Sequence, residues 1–376
     1  MRHWKSLSWV AVWGLALSVA ACGDDKSPTT PTPAAANITA PGLQSPDDNA
    51  QADTLRPTLT VRNATSDQTG TRVYEFQISD NNNFTASTAS NIVGFAATVS
   101  KNGVPEGTGG TTSFTVESDL QPTTLFFWRA RAVQGASTGP WSATARLKSK
   151  LVGFNRAGEV YDPLIHGETV GQVVGPATFL PGRGLQLDTG TSYVKYLLAQ
   201  TITNGEFSMD VEGLRGNGPG DKAKVFGMQE GQDDFITNRY RVDIQYRGVG
   251  GFPPNAITFR ALYGSGEDLK VRYEPDTTTR LNSTFALNPS TTYHWKAVWG
   301  SEFRLVVTEG SAAGVPLYNV GMASPNGVYA PNPHYAYLGA PVGRSGTESA
   351  SIAGTIYRNV WIANRPRPTT LGSALR

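Results

Sequence analysis

Cysteine is almost absent from this chain: of 376 residues only Cys22 carries a thiol. A lone cysteine can form neither an internal disulfide nor a cysteine-based zinc site. Histidine is nearly as sparse. The four residues, His3, His166, His294 and His334, are each isolated in sequence, which argues against a His-rich metal site. An excess of charge of one sign is missing as well. Lys and Arg number 32 against 30 Asp and Glu, and the only charges before Cys22 are Arg2 and Lys5. From Cys22 onward the balance is therefore 30 to 30. With no basic stripe and no charge run, a nucleic-acid partner is not expected. The apolar run from Leu7 to Leu17 is too short to cross a bilayer comfortably, and no sustained helical periodicity follows it.

What is present begins at the N-terminus. Arg2 and Lys5 precede the short apolar run, the pattern of a signal peptide over residues 1–21. Val19-Ala20-Ala21-Cys22 then resembles the bacterial lipobox. That resemblance implies cleavage before Cys22 and a diacylglyceryl thioether on its sulfur, with membrane lipid as partner. A second acyl chain would make the anchoring stable. Gly23 stands where an aspartate would imply inner-membrane retention, so the outer membrane is the expected location. Residues 22–37 contain a Pro/Thr/Ala tract with nothing to bury, a flexible tether.

Beyond the tether, 41 Gly, 24 Pro and abundant Thr point to an all-β, turn-rich chain. Over residues 38–150 short alternating segments are divided by turn clusters. Strands are expected at Leu55 to Val61, Val73 to Ser79, Ser113 to Val116, Leu125 to Val133 and Trp141 to Leu147. Leu120-Gln121-Pro122-Thr123-Thr124-Leu125-Phe126 resembles the tyrosine-corner segment of fibronectin type III domains, with Phe126 in the tyrosine place. Without the hydroxyl the corner hydrogen bond is lost and a packing role remains. The resemblance implies a β-sandwich that serves as a spacer or binding module, and no enzymatic role.

Residues 151–366 form a second, larger β region, followed by a tail at 367–376. Gly182-Arg183-Gly184-Leu185-Gln186-Leu187, Phe207 to Glu212, Tyr293 to Trp299 and Ile356 to Ile362 resemble strands of concanavalin A-like (laminin G-like) jelly rolls. The expected architecture is thus a fibronectin III-like β-sandwich followed by a concanavalin A-like jelly-roll sandwich. Lectin-like members of that family imply glycan binding.

No catalytic centre stands out. Glycoside hydrolysis needs two carboxylates at a fixed separation, and no Glu-x-Asp-x-x-Glu string is present. A polysaccharide lyase needs a Tyr or His base and a group that neutralises the uronate carboxyl. In Arg239-Tyr240-Arg241-Val242-Asp243-Ile244-Gln245-Tyr246, alternation puts Arg239, Arg241, Asp243 and Gln245 on one face. Arg241, Arg260 and His294 are the candidate residues of the lyase reading. A sheet with one wet face shows the same alternation. Aromatic side chains offer sugar-stacking surfaces. Tyr263, Tyr329, Tyr335 and Tyr337 fall in or near Gly/Pro-rich stretches and are the carbohydrate-binding candidates, whereas Trp295, Trp299 and Trp361 read as core. No cofactor is called for. Calcium is the one left open, at Asp80 with Asn81 to Asn83 and at Asp233 with Asp234. The expected function is a membrane-anchored, non-catalytic glycan-binding lipoprotein of the cell envelope. A lyase or hydrolase and a structural or protein-adhesion module are the alternatives.

Overall fold

The computed structural model describes residues 35–85, 92–215, 223–230, 241–246, 257–263, 267–272, 287–323, 333–341 and 350–375. Residues 260–263, 267–272, 322–323 and 350 are described by their backbone alone. Regular structure among them is strand throughout, apart from two short 3-10 turns. None of the described residues forms a helix long and apolar enough to cross a membrane. The protein is all-β.

The first sandwich packs a three-stranded sheet (Gly42–Ser45, Thr58–Arg62, Thr111–Thr115) on a six-stranded one built around Val73–Ser79 and Leu125–Gln134. Strict alternation decides which side chains meet in the middle. Tyr74, Phe76 and Ile78 are fully buried, while Glu75 faces outward and accepts from Arg131 Nε at 2.6 Å. Phe126 is fully buried beside Trp128 and Leu147, consistent with the packing role that remains without a hydroxyl. Most of the expected boundaries in this sandwich are met to within about two residues, and two starts differ by more. The strand expected from Leu55 starts at Thr58, because Pro57 has no N–H to give to a ladder. Trp141 lies outside the strand Ala145–Lys148. Its ring instead stacks with the guanidinium groups of Arg129 and Arg131, which lie 4.3 and 4.4 Å from its centroid.

Seven strands carry the features that matter in the second sandwich: β1 (Gly205–Glu212), β2 (Ala223–Gln229), β3 (Arg241–Tyr246), β4 (Ile257–Tyr263), β5 (Tyr293–Trp299), β6 (Tyr335–Leu338) and β7 (Ile356–Ala363). In the first of its two sheets, β1 lies between β7 and β5. In the second, the order is β6, β2, β3, β4. Phe207, Met209, Val211 and Trp295 from the first sheet share one core with Val225, Met228, Val242 and Ile244 from the second. The rings of Phe207 and Phe226 stack across it, with centroids 3.6 Å apart. Burying a side chain as large as any of these contributes roughly 1.5–3 kcal/mol. Since side chains alternate, the residues between these core positions project away from the core, in opposite directions for the two sheets. Glu206, Ser208, Asp210, His294 and Lys296 occupy one outer face. Gln229, Arg241, Asp243, Gln245, Tyr335 and Tyr337 occupy the other.

After β7 the chain turns back onto the first sandwich. The N–H groups of Gly372 and Ala374 both donate to the Thr123 carbonyl, at 2.9 and 3.2 Å, and Leu125 N donates to Ser373 Oγ at 2.8 Å. Thr370 Oγ1 donates to Asp80 Oδ2 at 3.2 Å. Leu371, 2 % exposed, packs in an apolar cluster with Ile92 of the first sandwich and Tyr161 and Trp361 of the second. Residues 365–375 thus form a strap between the sandwiches. Thr123, a β-branched residue, holds a left-handed φ of 52° there, a conformation that needs its surroundings to maintain it.

Candidate functional site

The outer face of the second sheet gathers polar side chains from three adjacent strands. Pairing of β6, β2, β3 and β4 places Tyr335, Gln229 and Arg241 in one row and Tyr337, Gly227, Asp243 and Arg260 in the next. Gly227 contributes no side chain between Tyr337 and Asp243, its partners on either side. Asp243 is fully buried and receives Gln245 Nε2 at 2.8 Å, with Arg241 Nε at 3.3 Å and Lys224 Nζ at 3.8 Å. A buried acid between two cations is held by its partners, since an uncompensated charge there would be strongly disfavoured.

Gln229 differs from its neighbours. It is fully buried, yet neither its Oε1 nor its Nε2 has a hydrogen-bond partner, and Gln245 Oε1 is also unpartnered. A buried amide without partners is costly, so it calls for a partner that the chain does not supply, an ordered water or a ligand group. An amide both donates and accepts, and so matches a pair of neighbouring hydroxyls.

The structure distributes the sequence candidates unevenly. Arg241 lies on β3 at this face, and Arg260 on β4 is the register partner of Asp243. His294 does not join them. It sits on β5 in the other sheet, facing away from the core in the opposite direction, so the three residues of the lyase reading are not assembled at one site. Tyr335 and Tyr337 reach the Arg241 face from β6. Tyr335 is half-buried. Tyr337 is fully buried and its ring lies 5.9 Å from that of Tyr193, so it is not an open platform for a sugar. Packing against Tyr193 and Ala340 covers it. Tyr263 ends β4 opposite Glu267, and Tyr329 lies outside the described residues, as do Cys22, Asp233 and Asp234.

At the other oxygen-rich segment, Asp80 is 6 % exposed and accepts from Thr370 Oγ1 at 3.2 Å and Asn81 Nδ2 at 3.3 Å, and burial pushes its carboxyl pKa up against those hydrogen bonds. Among the described residues no group of three or more His, Cys, Asp or Glu side chains is placed to hold a metal.

Sequence reasoning missed Lys224 and Gln229 for a definite reason. Five positions apart, they should face opposite sides of a regular strand. An irregularity in the β2–β3 register between Lys224 and Phe226 absorbs one residue and brings both to the polar face. It also missed Asn359, which has a φ of 60°. Its Nδ2 donates to Asp210 Oδ2 at 2.9 Å, and its Oδ1 accepts from Tyr161 at 3.2 Å. An Asn inside an apolar strand sequence was the available signal, since Asn tolerates the left-handed region better than most residues.

No family model matches this chain, and no curated protein does either. Solved structures similar to it include the three fibronectin domains FN1–FN3 of chicken CNTN1, at 13% identity and a TM-score of 0.18, covering 62% of this chain and 68% of that one. Another is a two-domain protein of unknown function, BF3416, from Bacteroides fragilis NCTC 9343. It shows 8% identity and a TM-score of 0.18, and covers 86% of this chain and 95% of that one. Likeness of this order carries no functional argument. The all-β architecture stands on the strand pairing itself.

Proposed function

We propose that this chain is a lipid-anchored envelope protein that binds glycan through the outer face of the second sheet, without cleaving it. The observation that carries the reading is Gln229, a fully buried amide with both polar atoms unpartnered, in one row with Tyr335 and Arg241. An aromatic ring beside groups that bind hydroxyls is the composition a sugar site requires. The concanavalin A-like resemblance supports the same reading. Cys22 with its lipobox-like surroundings supports the anchor, and the first sandwich then acts as the spacer. The lyase alternative is weakened by the separation of His294 from Arg241.

The full mature chain, purified in detergent, is to be applied to an array of neutral and acidic glycans. Retention of a glycan class, lost on Gln229→Ala, is the expected result. Retention of none overturns the binding role. Incubation with uronate polymers tests for lyase activity, and appearance of the unsaturated product's absorbance would overturn the non-catalytic reading. Mass spectrometry of the N-terminus checks the anchor: a mature chain beginning at unmodified residues overturns it.

A further inference from the structure

A cleft of about 440 Å³ opens on the face of the second sandwich opposite to Gln229. Its floor is the outer side of β1, β5 and β7, and the strap forms one wall through Arg367, Pro368 and Leu371. Nothing in the glycan reading uses it. On the floor Asp210 and His294 stand directly opposite each other in the β1–β5 register, with Nδ1 2.8 Å from Oδ1. That contact occupies Nδ1 and leaves Nε2 as the ring's other polar atom. Asp210 is held further by Asn359, which is bonded in turn to the strap residue Arg367.

Two groups in the cleft point to a ligand. Ser208, two residues before Asp210 on the same face, lines the cleft. Its Oγ is buried without a hydrogen-bond partner, and the residue is fully buried. Arg358 also lines it and is held only loosely. Its guanidinium reaches Thr292 Oγ1 at 3.4 Å and the Arg183 carbonyl at 3.5 Å, and lies 4.0 Å from Asp210 Oδ2. These are long contacts for a charged donor, which prefers a bidentate partner at much shorter range. Lys296 is 2.8 Å from Glu206, so that pair is matched. Three cations, Lys296, Arg358 and Arg367, face two acids, Glu206 and Asp210. The surplus is positive, and Arg358 is the cation without a close acid.

We propose that this cleft binds a small hydroxylated carboxylate of the sugar-acid class, with the carboxylate on Arg358 and a hydroxyl on Ser208 and His294. The volume suits a single sugar-sized ring or chain. The site is independent of the Gln229 face, which lies on the other sheet.

The probes are galacturonate, glucuronate and gluconate, with galactose as the neutral control, titrated into the full mature chain by calorimetry. Binding of at least one acid and not of galactose is expected. Arg358→Ala should weaken it at least about tenfold, and Ser208→Ala severalfold, while Gln229→Ala leaves it unchanged. Retained melting temperature in the two cleft variants shows that folding is intact. Arg358→Gln, which keeps most of the volume, should also lose binding, so a misfolded Ala variant does not decide the matter. Three results overturn the proposal: no heat with any acid, equal binding of galactose, or binding lost with Gln229→Ala and kept with Arg358→Gln. The last outcome would assign the ligand to the other face.

Discussion

The Thr123 carbonyl, in the corner of the first sandwich, accepts the backbone N–H of Gly372, which lies beyond the last strand of the second, at 2.9 Å. The same oxygen takes the N–H of Ala374, and Leu371 between the sandwiches buries its side chain against Tyr161 and Trp361. The segment that resembles a fibronectin corner is thus also the dock for the strap.

Leu371 is the apolar anchor of that dock. Leu371→Ala should destabilise the joined form by about 2–4 kcal/mol, by removing buried methyl groups and leaving a gap. Urea unfolding monitored by tryptophan fluorescence checks this. A single transition in the parent chain should split into two, one for each sandwich.

Gln229 offers a test in which stability and function move in opposite directions. Gln229→Leu keeps the volume and removes a buried amide that nothing in the chain satisfies, so stability should rise by about 1 kcal/mol or more. Glycan retention should fall with the same substitution. A variant that is both less stable and fully competent in binding would contradict the assignment.

Asp243 has the opposite character, because its partners are already in place. Asp243→Ala would leave Lys224 and Arg241 without their buried acid and should cost about 3–5 kcal/mol. Chemical denaturation measures that cost. Asp243→Ala with Lys224→Met should recover part of it, since the pair is then removed together.

Asp210 contributes to the acid limb of the stability profile. Burial by itself would raise its pKa, but hydrogen bonding and charge from His294, with Asn359 and Arg367, bring it below the ordinary 3.8. A carboxyl with a depressed folded-state pKa binds fewer protons folded than unfolded. Its contribution is therefore present above 3.8 and disappears as pH falls through the lower folded-state value. Asp210→Asn should be less stable than the parent at neutral pH, with the gap closing in that acid window. Thermal melts across the acid range read it directly.

Much of the fold was legible because burial follows local period. Tyr74, Phe76 and Ile78 alternate in sequence and are all fully buried, and Trp295 and Trp361, read as core, are fully buried too. What sequence could not show is which sheet each strand joins. Arg241 and His294 each lie on an alternating polar face, and alternation alone does not say that the faces point opposite ways. Strand pairing across more than a hundred residues decides that, as where Asn359 on β7 donates its Nδ2 to Asp210 Oδ2 on β1. The candidate site was half legible for the same reason. Arg241 and Tyr335 came from pattern and composition. Gln229 was concealed by the register irregularity in β2, and the strap, Pro-rich and without periodicity, gave no sign that Leu371 is buried.

The strap has a mechanical consequence. The sandwiches are joined covalently near Lys150 and Leu151, and again, without a covalent bond, where Gly372 and Ser373 meet Thr123 and Leu125. Attachments at separate points resist bending and twisting in a way that one hinge does not. Traction applied to the second sandwich, whatever it holds, is shared between a peptide linkage and a row of hydrogen bonds backed by Leu371. The linkage bears tension, and the hydrogen-bonded attachment keeps the load from turning into rotation. Severing the strap would leave the peptide linkage and the contacts of Phe95 with Phe154 and of Val93 with Arg156 to resist rotation alone.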